Sequence, residues 1–296
     1  MVQVSDMQHS ESDSSRAEFF NQYGYLVVEN AVADALVSDM TDQFNTWVDE
    51  SRGHESPWGE TINGKPRFDL EPGHSAKSPA LRRINAPVEV SDIYYRVMAD
   101  GRIPELLGQI IGPDVRFHHS KINSKLPGSA TQVKWHQDFS FTPHSNDDLV
   151  TALIFVDEVT LENGPLKVVP GSHRGELYSL WHDGIFTGAV AEDLAKRCER
   201  EAVTCTGPAG SVCFMHTRLL HGSSANVSAM PRTLFICVYA SDDAVALSPN
   251  PMPSRYDGLM VAGRSRGVVR CIPFDMPLPQ LPDSASFFDQ QSRQSR

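Results

Sequence analysis

Hydrophobic residues recur with helical spacing in the N-terminal part of the chain. Between residues 31 and 50 an apolar residue occupies every fourth position, which is the pattern of a helix with one buried face. These positions are Val32, Leu36, Met40, Phe44 and Val48. The same part of the chain predicts a short helix over 16–20, a strand over 25–29 and a second helical region over 92–111.

The pattern changes after residue 114. Short runs rich in β-branched and aromatic residues alternate with turn residues, which is typical of a β-sandwich or barrel. The predicted strands cover residues 115–123, 132–139, 149–159, 165–169, 210–214 and 233–240. We therefore predict an α+β fold, in which N-terminal helices pack on one sheet of a double-stranded β-helix (a cupin-like jelly roll) over about 114–245.

The remaining segments lack a clear period. Residues 51–80 are polar and rich in Gly and Pro, and they predict a long loop or irregular segment. Residues 1–14 are polar and rich in Ser and Asp, so we predict that they are disordered. No break in composition indicates a second domain, and residues 15–296 are predicted to form one.

Composition excludes several classes of partner. The 296 residues carry a net charge of −11 without any run of Lys or Arg, which excludes nucleic acid and an anionic membrane as expected partners. The five cysteines form no C-x-x-C motif, which favours free thiols in a reducing compartment. Without an apolar leader or a membrane-spanning run, the chain is predicted to be cytoplasmic, as a monomer or a homodimer.

One short motif supplies candidate metal ligands. His136 and Asp138 are separated by Gln137 alone, and residues i and i+2 of a strand point to the same face. One more histidine would complete the 2-His-1-carboxylate triad of a non-haem Fe(II) oxygenase. His216 and His221, which follow the predicted strand 210–214, both qualify on physical grounds. The residues alone do not choose between them.

Several motifs in order resemble one known family. They are 20–28, the His136–Asp138 pair, 161–173 (LENGPLKVVPGSH), and 219–223 (LLHGS) with Arg232 after it. Together they resemble the phytanoyl-CoA dioxygenase family of Fe(II)/2-oxoglutarate-dependent oxygenases, which includes ectoine hydroxylase-like enzymes. The resemblance covers most of the chain.

The resemblance implies a ligand set and a reaction. It implies that His136, Asp138 and His221 bind Fe(II), and that Arg232 binds the far carboxylate of 2-oxoglutarate through its planar guanidinium. Asn123 and Ser223 fall where ectoine hydroxylases contact the cosubstrate, and Lys121 falls where those enzymes have an arginine. The implied reaction uses O2 to hydroxylate an unactivated C–H bond of a small metabolite or carboxylate-type substrate, with succinate and CO2 as coproducts. No further catalytic side chain is required.

The substrate is not carried over with the resemblance. Residues 139–143 differ from the aromatic residues that ectoine hydroxylases have there, and Ile154 stands where phytanoyl-CoA hydroxylases have tryptophan. Candidate substrate contacts are Phe139, Phe141, Arg82 and Arg83. Two alternatives are a non-catalytic jelly-roll binding protein and a cupin-type metalloenzyme that does not use 2-oxoglutarate. Neither alternative explains the match at Arg232.

Overall fold

Two antiparallel sheets enclose the centre of the molecule. The computed structural model describes residues 13–128, 131–280 and 291. Within these ranges the helices are α1 (Asp13–Tyr23), α2 (Asp34–Ser51), α3 (Asp92–Ala99), α4 (Arg102–Ile111) and α5 (Glu192–Glu201). The strands are β1 (Tyr25–Val28), β2 (Trp58–Glu60), β3 (Pro66–Leu70), β4 (Leu81–Asn85), β5 (Val115–Lys125), β6 (Val133–His136), β7 (Leu149–Phe155), β8 (Leu166–Val168), β9 (Trp181–His182), β10 (Ile185–Phe186), β11 (Val203–Cys205), β12 (Val212–His216), β13 (His221–Ser223), β14 (Arg232–Ser241) and β15 (Met260–Ala262).

The sheets differ in size. The large sheet has the strand order β1-β12-β7-β14-β5-β4-β3-β2, and β15 pairs with β5. The small sheet has the order β11-β8-β13-β6, and β9 and β10 form a separate hairpin. Side chains from both sheets line one cavity, so the two sheets face each other. The predicted double-stranded β-helix is confirmed.

Helices cover the outer face of the large sheet. The α3 residue Tyr94 packs its ring edge-on against Phe235 of β14, with 4.8 Å between ring centroids. Its hydroxyl donates a hydrogen bond to the Met40 carbonyl of α2 at 3.0 Å, and the Tyr239 hydroxyl of β14 donates to the Met98 carbonyl of α3 at 2.9 Å. Buried apolar side chains and satisfied hydroxyls therefore join helices and sheet into one core. The predicted packing of N-terminal helices on one sheet is confirmed.

Two segments differ from their sequence predictions. The helical region 92–111 is two helices, because Gly101 between them has a φ of +87°, which only glycine adopts readily. Residues 51–80, predicted to be irregular, contain β2 and β3, and β4 joins this hairpin to β5. β4 carries two adjacent arginines, and β3 alternates apolar residues with Arg67 and Asp69 over five residues only. A search for hydrophobic alternation therefore did not detect these charged strands.

Several predictions concern features beyond the sheets. The predicted disordered segment 1–14 lies outside the described residues except for Asp13 and Ser14, which open α1. The single domain over 15–296 and the cytoplasmic location stay predictions. The five cysteines are free thiols, four of them buried. Among the described helices, none is apolar and long enough to cross a membrane.

Candidate active site

Three side chains converge between the sheets. His136 ends β6 and His221 begins β13, and the two residues are directly opposite each other across the strand pair. Asp138 opens a short 3-10 turn just after β6. Its Oδ1 lies 3.4 Å from His136 Nε2 and 3.5 Å from His221 Nε2. This is the arrangement of a 2-His-1-carboxylate metal triad, with ligand atoms all within 4.8 Å of one another.

Backbone carbonyls orient both imidazoles. His136 Nδ1 donates to the Lys134 carbonyl at 2.8 Å, and His221 Nδ1 donates to the Leu219 carbonyl at 2.9 Å. A proton on Nδ1 leaves the lone pair on Nε2, which is the atom that faces Asp138. Burial, followed by the charge of His221, lowers the pKa of His136. Both effects keep the His136 ring neutral, as metal coordination requires.

Asp138 is held from the opposite side by the large sheet. Thr151 of β7 donates its hydroxyl to Asp138 Oδ2 at 2.8 Å, so Oδ1 is the oxygen that faces the histidines. Burial alone would raise the pKa of Asp138, but in the metal-free protein the positive charges of a protonated His221 and of Lys121 hold it well below its usual value. The carboxylate is therefore ionised and oriented before a metal binds.

Gln137 fixes the backbone between the two ligands. Its side chain is fully buried and donates to the carbonyls of Glu176 and Arg218, at 3.0 and 2.7 Å. Its amide oxygen accepts from the backbone N–H of Tyr178 at 2.9 Å. The middle residue of the motif therefore ties the ligand turn to the segment after residue 175. This leaves His136 and Asp138 free to face the metal position.

His216 lies away from the triad. The adjacent β12 residue Met215 lines the cavity, so His216 points to the opposite face of the sheet. It packs against the rings of Phe20 and His173, at centroid distances of 6.2 and 5.1 Å. Burial and the neighbouring charge of His173 lower the pKa of His216 to about 3. Of the two histidines that the residues alone left open, the structure brings His221 to Asp138.

Arg232 closes the inner cavity, a space of about 70 Å³ that begins at the triad. Its side chain is buried, and no described residue accepts a hydrogen bond from its guanidinium. Burial lowers the pKa of Arg232 to about 10, with the charge of Asp157 opposing the shift. A buried guanidinium without an acceptor is costly, and a ligand carboxylate would satisfy it through two parallel hydrogen bonds.

Lys125 is a second basic side chain in the inner cavity, and the sequence interpretation missed it. It is the direct cross-strand neighbour of Arg232, and its Nζ donates to Ser223 Oγ at 2.8 Å and to the Ser224 carbonyl. Burial and the charge of Arg232 lower the pKa of Lys125 to about 6, while Glu71 opposes the shift. The signal was available, because Lys121, Asn123 and Lys125 alternate along β5 and so share one face.

The other predicted cosubstrate residues also line the inner cavity. Asn123 lies between Lys121 and Lys125, and its buried Oδ1 has no hydrogen-bond partner among the described residues. Ser223 accepts the Lys125 hydrogen bond. Lys121 borders both the inner cavity and a second, outer cavity of about 100 Å³. The triad residues His136 and Asp138 also border both.

The candidate substrate residues divide into two pairs. Phe141 and Arg83 line the outer cavity, and Arg83 lines the inner cavity as well. The Phe141 ring stands edge-on to His136 with 5.7 Å between centroids. Phe139 is fully buried among Leu149, Ala240 and Ala244 and lies outside both cavities. Arg82 also lies outside them, ion-paired to Asp69 at 2.7 Å. Neighbouring residues on a strand point to opposite sides, which separates Arg82 from Arg83.

The long motif 161–173 is a supporting element. Gly164 has a φ of +84°, and a Cβ there would lie 2.8 Å from Lys125 Cδ and 2.9 Å from the Ser224 carbonyl. Glycine therefore makes room for the Lys125 side chain. His173, at the end of the motif, sits beneath Gly24, where a Cβ would lie 2.4 Å from its ring. The motif thus joins the small sheet to the turn before β1.

Comparison with known proteins identifies the family. A family model described as phytanoyl-CoA dioxygenase (PhyH) matches residues 20–234, which include the triad and Arg232. The chain belongs to the phytanoyl-CoA dioxygenase family. The predicted membership is confirmed, and with it the expectation of a non-haem iron enzyme that uses 2-oxoglutarate.

Curated relatives within the family have different substrates in their names. A probable alpha-ketoglutarate-dependent hypophosphite dioxygenase from Stutzerimonas stutzeri is 36% identical over 219 residues, covering 72% of this chain and 75% of that protein. An ectoine dioxygenase from Stutzerimonas stutzeri strain A1501 is 27% identical, covering 84% and 83%. An L-proline trans-4-hydroxylase from Streptomyces griseoviridis is 31% identical, covering 59% and 71%.

Solved structures share the fold. EctD from S. alaskensis, crystallised with 2-oxoglutarate and 5-hydroxyectoine, aligns with a TM-score of 0.64 at 24% identity, over 89% of this chain and 90% of that one. The non-heme alpha ketoglutarate dependent carbocyclase SnoK aligns with a TM-score of 0.62 at 21% identity, over 85% and 93%. At these identities the likeness concerns the fold.

Proposed function

We propose that this member of the phytanoyl-CoA dioxygenase family hydroxylates an unactivated C–H bond of a small metabolite or carboxylate-type substrate and forms succinate and CO2 from 2-oxoglutarate. One observation supports the proposal most. The two Nε2 atoms and Asp138 Oδ1 converge at the mouth of a cavity that ends at a buried guanidinium without an acceptor. A metal position and a carboxylate position thus lie at the two ends of one space.

His136, Asp138 and His221 are proposed to hold Fe(II). Two neutral imidazoles and one carboxylate suit this ion, and the fixed Nδ1–H groups and the Thr151 hydroxyl orient the donors before binding. When bound, Fe(II) and 2-oxoglutarate would supply the oxidising chemistry. The protein contributes position, because each ligand is fixed by a strand or a backbone contact.

Arg232 and Lys125 are proposed to bind the distal carboxylate of 2-oxoglutarate. Arg232 offers a planar pair of N–H donors, and Lys125 offers a second positive charge from the neighbouring strand. Ser223 holds the Lys125 ammonium in place, and Asn123 offers an amide along the same wall. Lys121 lies at the boundary of the two cavities, within reach of either ligand.

A turnover measurement tests the proposal. Purified protein supplied with Fe(II), ascorbate, O2 and 2-oxoglutarate should form succinate slowly by itself and faster when a substrate is added. A metal chelator or the removal of O2 should stop both reactions. A metabolite that gains one oxygen atom in step with succinate would identify the substrate. Protein that binds Fe(II) and 2-oxoglutarate but never forms succinate would support a binding module and overturn the proposal.

A further inference from the structure

One aromatic ring stands at the wall that the outer cavity shares with the triad. Among the described residues that line this cavity, Phe141 alone carries a benzene ring, and His136 and Asp138 line the same space. The Phe141 ring is edge-on to the His136 imidazole, with 5.7 Å between centroids. An oxidisable side chain therefore lies beside a metal ligand, in the space that a substrate would occupy.

Packing on its other side holds the Phe141 ring in place. Phe186 of β10 packs edge-on against it, with 5.4 Å between centroids. Phe141 also packs on an apolar cluster that includes Trp135, Val169 and Leu180. Side chains packed in this way stay in one rotamer, because leaving it would give up the contacts on the buried side. The ring therefore keeps one edge in the outer cavity.

Phe139 is placed differently, although it is closer to a metal ligand along the chain. It directly follows Asp138, but its fully buried ring packs with Leu149 and Ala240 and lines neither cavity. Phe141 is two residues further on and faces the outer cavity. The chain thus offers two phenylalanines near the triad, of which one is in the cavity and the other is in the core.

The cosubstrate leaves the outer cavity as the space in which a substrate is oxidised. The proposed carboxylate site at Arg232 and Lys125 places 2-oxoglutarate in the inner cavity, and Phe141 does not line that cavity. When no substrate fills the outer cavity, its wall is exposed to the oxidising chemistry that Fe(II) and 2-oxoglutarate supply. Turnover without substrate then has the protein itself as a recipient of the oxygen atom.

We propose that, in the absence of substrate, the protein hydroxylates its own Phe141. This inference rests on the proposed function and adds a modification site to it. One atom of O2 enters a new ring C–O bond in place of a C–H bond, and the hydrogen remains on the hydroxyl. The other atom enters succinate as C1 of 2-oxoglutarate leaves as CO2. The ring and the cosubstrate each give two electrons, which together reduce O2.

Mass spectrometry of the protein tests this inference without a known substrate. The full chain is incubated with Fe(II), 2-oxoglutarate and isotope-labelled O2, without substrate or ascorbate, and digested with trypsin. One peptide, 135–167, carries Phe139, Phe141 and Phe155, so fragment ions compare the three rings directly. We expect one labelled oxygen on Phe141 and at least about tenfold less on the other two rings, equivalent to a barrier difference of about 1.4 kcal/mol. Added ascorbate, as a competing reductant, should lower the label.

Variants and a surface methionine distinguish oxidation at the site from a diffusible oxidant. His221→Ala, which lacks a proposed metal ligand, should give neither succinate nor label, and Phe141→Ala should lose the label. Phe186→Leu removes the ring behind Phe141 and is the matched control, so its label should remain on Phe141. Phe141→Tyr provides the standard for the para-hydroxylated peptide. Met230, which is 66% exposed, should stay unlabelled.

The possible outcomes separate this inference from the proposed function. Succinate without label on Phe141 overturns the inference and leaves the proposed function standing. Equal label on Phe139, Phe155 or Met230 also overturns it, because a diffusible oxidant would then be the cause. Label on Met252 in place of Phe141 would assign the oxidised position to another residue of the outer cavity and overturn it as well. Protein that binds Fe(II) and 2-oxoglutarate but forms neither succinate nor label defeats both proposals.

Discussion

The two faces of β5 and β14 differ in how their polar groups are satisfied. On the outer face, Phe235 and Ile122 are fully buried, and the Tyr239 hydroxyl has its acceptor on α3. On the inner face, Arg232 and Asn123 have polar atoms without partners among the described residues. The polar groups of the outer face have partners within the protein, whereas those of the inner face would need a ligand to supply theirs. The same strands therefore provide stability on one side and binding on the other.

This difference predicts which measurement each substitution affects. Outer-face changes should lower the free energy of unfolding and leave ligand constants unchanged in the folded protein. Changes around the inner face should weaken ligand binding without lowering the free energy of unfolding. The reason is that a buried charge without a partner destabilises the folded protein, so its removal does not.

The largest expected effect is at the metal ligands. His136→Ala and His221→Ala should each reduce iron binding and turnover below detection, with the free energy of unfolding of the metal-free protein changed by less than about 1.5 kcal/mol. His216→Ala is the matched control and should retain iron. Iron loss in the His216 variant, with retention in the His221 variant, would reverse the ligand assignment.

An outer-face substitution should act on stability alone. Phe235→Ala removes a fully buried ring that packs against Tyr94, so the free energy of unfolding should fall by about 3–5 kcal/mol in urea titrations. The KM for 2-oxoglutarate should stay within twofold at temperatures where the variant is folded. Val227→Ala, at a side chain that is 78% exposed, should change neither quantity. A large rise in KM without a loss of stability would contradict the division between the faces.

Arg232→Lys should act on cosubstrate binding alone. It keeps the charge and loses the planar pair of donors, which costs about 1.5–3 kcal/mol, so the KM for 2-oxoglutarate should rise about ten- to a hundredfold. Iron affinity should change little. Arg218→Lys is the control, since Arg218 pairs with Asp147 at 2.7 Å and lies outside both cavities. An unchanged KM in the Arg232 variant would remove this residue from the site.

The smallest expected effect is the uptake of about one proton when 2-oxoglutarate binds. With a pKa of about 6, Lys125 is mostly neutral at pH 7.5 in the ligand-free protein, because burial and the charge of Arg232 outweigh Glu71. A bound carboxylate raises that pKa, so 2-oxoglutarate binding should take up close to one proton, roughly 0.9, at this pH. Calorimetry in two buffers with different ionisation enthalpies measures the uptake.

The Lys125→Arg variant gives the comparison for that measurement. Arginine stays protonated in both states, so its proton uptake on binding should be lower than that of the wild type by most of one proton. Lys121, with a pKa of about 8, contributes equally to both proteins and cancels in the difference. Equal uptake in the two proteins would show that Lys125 is already charged before the cosubstrate binds.

The strands of the core were predictable because one face of each is apolar. The predicted strands 149–159 and 233–240 correspond to β7 and β14, with ends displaced by a few residues. Strand β3 was missed because it is five residues long within a polar segment, and β4 was missed because Arg82 and Arg83 are adjacent in it. Because β4 carries Arg83 into a cavity, its apolar residues do not alternate regularly, and a search for hydrophobic alternation does not detect it.

The residues of the site that belong to sequence motifs were predictable, and the others were not. The His136–Asp138 pair follows from strand geometry, whereas the choice of His221 over His216 depended on the family resemblance. Lys125 was missed because the predicted strand ended at residue 123 and β5 extends to Lys125. The exclusion of Phe139 from the cavities depends on the 3-10 turn after β6, which turns its ring into the core. A turn of this kind has no distinct sequence signal.

Gly164 restricts which side chains are compatible with Lys125 in the inner cavity. Any side chain at this position would meet the Lys125 stem, with Lys125 Cδ 2.8 Å from the added Cβ, and the Ser224 carbonyl at 2.9 Å. Of these two groups the flexible Lys125 stem is the one that can move. In a library randomised at both positions, we expect functional clones with a larger residue at 164 to carry a shorter one at 125. The two positions should therefore covary in descendants of this gene, although they lie 39 positions apart in the chain. Selection on cosubstrate binding would thus be visible at a residue that touches no ligand.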